Sequence, residues 1–224
     1  MTDIANEIIR EQPKEEPRWP ASVAVLVAIA LHLFLPQRYI LGPVWLMPAM
    51  EFAILLPLSL RAPHRVPHEG RLNQFLAFAL ILVVNVANFA SLILLVLMLL
   101  YHGKSVAGPE LLFSSLGIWT TNVIVFALWF WELDSGGPDE RIFHAGHCLP
   151  DFLFPQISAP QSCAPNWTPR FIDYLYVAFT NATAFSPTDT MPLTAKAKLL
   201  MLCQSAMSII TITLVAARAV NILS

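Results

Sequence analysis

The chain has 224 residues, of which 56% are hydrophobic and only 12% charged, with a net charge of −2. Soluble domains carry roughly 25% charged residues, so the composition argues against a soluble enzyme. A pI near 6.3 leaves no basic stripe for nucleic acid, and three cysteines are too few for a disulfide scaffold. The pattern is that of a polytopic membrane protein.

Residues 1–19 hold most of the early charge, from Glu7 to Arg18, with Pro13 and Pro17. They read as a polar, mobile segment and not as a secretory signal, because no basic n-region precedes the first apolar run. Ala21 to Leu35 is apolar apart from His32, and a span is expected near 21–41. A second span, near 43–61, contains Glu51. Arg61 to Arg71 is a basic loop. Leu72 to Leu100 is the longest apolar run and exceeds what the ~30 Å hydrocarbon core requires, giving a third span near 72–101. Leu111 to Leu133 gives a fourth near 110–133, closed by Glu132, Asp134 and the breaker Gly136-Gly137-Pro138.

Residues 134–170 are too polar to span. Phe171 to Phe185 is apolar but short and carries Asp173, Thr180, Asn181 and Thr183. Runs of that length favour a re-entrant or interfacial helix over a span, so a half-length helix is expected near 170–185. The last span is expected near 195–222 and is studded with Gln204, Ser205, Ser208, Thr211 and Thr213. The fold class is therefore all-α, with about five transmembrane helices and one re-entrant-like helix. It divides into a polar N-terminus (1–19), a three-span region (20–109) and a C-terminal region (110–224).

Ionisable and amide side chains inside spans are costly and mark either function or interhelical bonding. Glu51 reads as a proton or cation site, or as a neutral residue paired with a neighbouring helix. Asn85 and Asn88, at i, i+3 spacing, and Asn122 read as interhelical hydrogen-bond partners or as the lining of a path. Glu132 and Asp134 follow Trp129-Phe130-Trp131, an aromatic belt of the kind found at headgroup level. They read as a cation-attracting vestibule or as a cap for the next turn. His144, His147, Cys148 and Cys163 have zinc-ligand chemistry but match no zinc spacing. A Cys148–Cys163 disulfide would need an oxidising compartment. No serine elbow, phosphate loop or zincin motif occurs, so neither an enzyme nor a cofactor or metal site is read.

Phe179 to Thr194 reads FTNATAFSPTDTMPLT, which resembles the potassium-channel pore pattern F-x-x-x-T-x-V-G-Y-G-D-x-x-P-x-T. Phe179, Thr183, Asp189, Pro192 and Thr194 match without a gap. The resemblance implies an outer helix over 110–133, a pore helix, a pore loop and an inner helix. It further implies a homotetramer in the lipid bilayer passing monovalent cations, with ion-path candidates Thr180, Thr183, Ser186, Thr188 and Asp189. The whole chain also resembles a family of uncharacterised bacterial polytopic membrane proteins. There E-L-D-x-G-G-P (Glu132 to Pro138), D-F-L-F-P-Q (Asp151 to Gln156) and F-S-P-T-D (Phe185 to Asp189) recur, implying a multi-pass inner-membrane location. Ser186, Pro187 and Thr188 replace the Gly-Tyr-Gly of the filter, and no glycine follows Gly146. A potassium-selective carbonyl cage is therefore not encoded. The alternative is a non-conducting membrane scaffold or partner-binding protein with the same helix–turn–helix architecture. Basic residues divide almost evenly between the two sides, so the sequence assigns no orientation to the 134–170 loop.

Overall fold

A computed structural model of the chain describes residues 19–61, 70–102, 108–143, 150–159, 161, 167–184 and 189–223. The protein is an all-α membrane protein. Its helices are α1 (Trp19–Phe34), α2 (Leu46–Arg61), α3 (Gly70–His102) and α4 (Gly108–Leu133), followed by the short α5 (Pro138–Phe143) and α6 (Pro155–Ser158). The half-length α7 (Phe171–Ala184) and the long α8 (Ala195–Leu223) complete it. Three segments are long and apolar enough to cross a bilayer: Gln74–Tyr101, Gly108–Gly136 and Ala195–Ala217.

The first expected span is shorter than the sequence suggests. Proline restricts the residue before it and cannot continue a helical hydrogen-bond ladder, so α1 stops at Phe34, ahead of Pro36. The chain then makes a 3-10 turn over Gln37–Tyr39. At 1.5 Å per residue the 16 residues of α1 reach about 24 Å. The buried Leu35, Tyr39 and Ile40 continue the core beyond it. The second expected span also shortens at its start, to Leu46.

α4 is the hub. From Thr121 to Leu128 every residue is buried, because α1, α3, α7 and α8 all pack on it. The last three long elements thus pack together, and α4 belongs equally to the N-terminal and C-terminal halves. Aromatic contacts set the register. Trp131 meets Phe171 at 5.9 Å and Trp119 meets Phe179 at 5.7 Å, both edge-on, so α7 runs antiparallel to α4.

The 134–170 segment, expected to lack regular structure, contains the strand Phe152–Leu153. It pairs antiparallel with Met191–Pro192, just ahead of α8. This two-residue ladder was not legible as strand. It matters because it pins the start of α8 to the same end of the bundle as the start of α7.

Candidate functional site

Two polar constructions organise the C-terminal half, one at the end of α4 and one halfway down the bundle. The first begins with backbone geometry. Leu133 still has helical angles, but Ser135, Gly136 and Gly137 follow with φ of 55°, 83° and 101°. Three successive left-handed residues reverse the chain. Two are glycines because that region is cheap only without a Cβ. At Gly137 a Cβ would also lie 3.1 Å from the Glu132 carbonyl oxygen. Gln74 of α3 closes the turn by donating to the Gly136 carbonyl at 2.8 Å.

The turn delivers Asp134 into the protein. One carboxylate oxygen accepts the backbone N–H groups of Asp151 (2.6 Å) and Phe152 (3.2 Å), and the other accepts the Tyr174 hydroxyl at 2.6 Å. Arg141 donates to the Trp131 and Asp134 carbonyls at 2.8 Å each and lies 5.2 Å from the Tyr174 ring centroid. Asp151 repeats the pattern one layer out. It accepts the Ser135 N–H and the Thr194 hydroxyl, while its own carbonyl accepts Leu193 N–H at 2.8 Å. Thr194 in turn accepts the Ala197 N–H, capping α8. Phe152 and Phe154 pack against Phe130, Tyr174 and Trp167. The end of α4, the strand pair, α7 and the start of α8 therefore meet around two linked carboxylates, Asp134 and Asp151.

Both residues proposed for a vestibule are buried within the chain, Asp134 at 1% exposure and Glu132 at 2%. Asp134 is a latch that ties the first turn of α7 and the lead-in to α8 to the end of α4. Asp151 and Tyr174, its partners, were not singled out as site residues from the sequence. The available signal was an acidic residue directly ahead of the alternating Phe152-Leu153-Phe154.

α7 enters the bundle from the latch. Asp173 in its first turn reaches back to accept the Arg170 N–H at 2.7 Å, half of a capping box. Burial pushes its carboxyl up, and that backbone bond together with the Arg170 charge pulls it down. The second construction lies ten residues into α7. Asn181 donates to the Met201 carbonyl (3.0 Å) and to the Gln204 amide oxygen (2.7 Å), and Gln204 donates to the Ala178 carbonyl (2.8 Å). Ser205 donates to the Asn181 amide oxygen (3.2 Å). From α4, Asn122 donates to the Ser208 hydroxyl (2.9 Å) and to the Gln204 carbonyl (3.3 Å). Counted at 1.5 Å per residue, Asn122 lies about 18 Å from Asp134, and Asn181 and Gln204 about 15 Å from Phe171 and Thr194, a span comparable with half of a ~30 Å hydrocarbon core.

The remaining predicted residues separate. Thr180 and Thr183 turn their hydroxyls onto carbonyls of their own helix, Tyr176 and Val177 for one and Phe179 and Thr180 for the other. Asp189 is exposed, and Ser186 and Thr188 lie outside the described residues. Asn122 belongs to the midplane layer, as its interhelical reading implies. Asn88 is buried and Asn85 half-buried on α3, and Glu51 is buried on α2. The hydroxyls of α8 do not form one open face: Ser208 and Thr211 are buried, and Thr211 donates to the Met207 carbonyl. Among the described residues no group of three or more His, Cys, Asp or Glu could hold a metal ion. His144, His147, Cys148 and Cys163 lie outside the described residues.

No family model, no curated protein and no solved structure matches the chain.

Proposed function

We propose that the chain is a multi-pass protein of the bacterial inner membrane whose C-terminal half is a pore loop. Four copies would assemble around α8 to pass hydrated monovalent cations with little choice between potassium and sodium. The observation that carries this reading is the re-entrant path. α7 starts beside Trp131 at the end of α4, and α8 starts beside Asp151 and Asp134 at that same end. α7 therefore runs into the bundle from that end, and α8 sets out again from the same end. Non-helical backbone at membrane depth persists only where protein buries it or water reaches it. The carboxyl end of α7, at Ala184, points inward and brings the partial negative charge of a helix C-terminus, which favours a cation. Leu199, Leu202, Ala206, Ile209 and Thr213 are exposed along α8, leaving that face for other copies.

A second reading is supported by the midplane layer. Asn122, Asn181 and Gln204 spend their amide N–H groups on partners within one chain, as in a non-conducting scaffold. Flux from proteoliposomes of purified protein, with its oligomeric state in detergent, separates the two. The pore reading expects a tetramer, a cation leak, and a reversal potential near zero across a potassium–sodium gradient, because carbonyl-ring selection needs backbone angles that Ser186-Pro187-Thr188 disfavours. A monomer without leak supports the scaffold. A large potassium preference would refute the argument from glycine.

A further inference from the structure

The N-terminal half contains a set of polar side chains that behave differently from the midplane layer. Glu51 on α2 is 0% exposed, and neither carboxylate oxygen has a hydrogen-bond partner among the described residues. His32 on α1, Ser91 on α3 and Ser114 on α4 are also buried, and His32 Nε2, Ser91 Oγ and Ser114 Oγ likewise lack partners there. These are four orphaned polar groups on four helices. α2 packs on α1 and α3, and α1 and α3 pack on α4, so all four point into one bundle. His32 is the third residue from the end of α1 and Glu51 the sixth of α2. Both lie within two turns of the α1–α2 connection, at one end of the two helices.

Structural polar groups in membrane bundles are kept because they bond across helices, as Asn122, Asn181 and Gln204 do here. Glu51 does not, and among the described residues no basic side chain is paired with it. His32 is the one titratable residue of α1, and α3 carries none between Leu72 and Leu100. The other ionisable residues of these packed elements, Arg61, Arg71, Tyr101, His102 and, on α4, Glu110 and Glu132, fall at helix ends. Arg38, in the turn packed on α3, is paired with Glu110, and burial pushes the pKa of its neighbour Tyr39 up, which keeps that phenol neutral. A buried carboxyl without counter-charge is neutralised by a proton, and an imidazole is the side chain suited to supply or take one near neutral pH. The arrangement lacks the ring of oxygens that a metal cation would demand.

We propose that Glu51, with His32, forms a reversible proton-binding site buried among the first three helices and separate from the re-entrant half. The site stands or falls independently of ion conduction. Infrared spectra of the full chain in lipid vesicles, with the glutamate carboxyls carbon-13 labelled, test it. A protonated-carboxyl carbonyl band is expected at acid pH that fades reversibly as pH rises. The component of that band missing from Glu51→Gln is the Glu51 carboxyl; it should return at the unlabelled aspartate position in Glu51→Asp and titrate with a displaced midpoint in His32→Gln. If Glu51→Gln fails to fold, the Glu51→Asp shift still assigns the band. A Glu51 band unchanged from acid to alkaline pH, or no protonated Glu51 at acid pH, overturns the site. A midpoint unmoved by His32→Gln overturns the shared role of the imidazole.

Discussion

Replacing Asp134 is the most direct test of the latch. Asp134→Ala leaves three donors without an acceptor: the Asp151 and Phe152 N–H groups and the Tyr174 hydroxyl, all now within 2.6–3.2 Å of the carboxylate. A buried group left unsatisfied costs about 1–3 kcal/mol, so the loss should be on the order of 3–9 kcal/mol. For a chain of this size about 2–4 °C of melting temperature accompanies each kcal/mol, which gives a fall of roughly 6 °C or more. Asp134→Asn keeps one acceptor oxygen and should lose about a third as much. Tyr174→Phe removes one donor and should cost about 1–2 kcal/mol in the native background, yet much less in the Asp134→Ala background, where the bond is already gone. Thermal unfolding in detergent, followed by loss of the monodisperse chromatographic peak, measures all four proteins. Asp134→Ala melting within about 2 °C of the native chain, or additive effects in the double variant, would refute the latch.

Two glycines should respond in opposite directions. Gly137→Ala forces a Cβ into a conformation essentially confined to glycine, 3.1 Å from the Glu132 carbonyl oxygen, and should destabilise by roughly 1–3 kcal/mol. Gly117→Ala sits inside α4, where the new Cβ would meet only Leu35 Cδ1 at 3.8 Å. Helix propensity alone should stabilise it by up to about 1 kcal/mol, and equal melting shifts for the two variants would contradict the geometry. In the midplane layer, the cycle of Asn181→Ala and Gln204→Ala should report a coupling of about 1 kcal/mol, within the range for interhelical bonds in membrane bundles. A coupling near zero would mean that the 2.7 Å amide contact contributes nothing.

The long apolar runs at 72–100 and 111–133 are legible because their hydropathy alone decides their state, and the short run before Ser186 is legible as a half-helix by length. The end of α1 is written in Pro36, which closes the apolar run at Leu35, although the span expected near 21–41 extends beyond it. The latch was hidden for a different reason. Asp134 finds its partners 17, 18 and 40 residues away, and nothing local separates a carboxylate turned inward from one facing water. Glycine pairs such as Gly136-Gly137 signal a turn, but not which side chain it aims. Asn181 and Gln204 were visible as polar residues in apolar helices, and their pairing needed the parallel descent of α7 and α8 from one end.

That pairing constrains the order in which the protein can be made. The Asn181 amide meets its acceptors, the Met201 carbonyl and the Gln204 side chain, only after twenty and twenty-three further residues have left the ribosome. Until then α7 is a 14-residue segment carrying an amide that hydrocarbon does not tolerate unpaired. It has every reason to wait at the interface. The C-terminal half is therefore built backwards, with α8 crossing first and the half-helix settling against it afterwards. A nascent chain stopped short of Met201 should leave α7 accessible to water-soluble thiol reagents at an introduced cysteine, and release of the full chain should close that access.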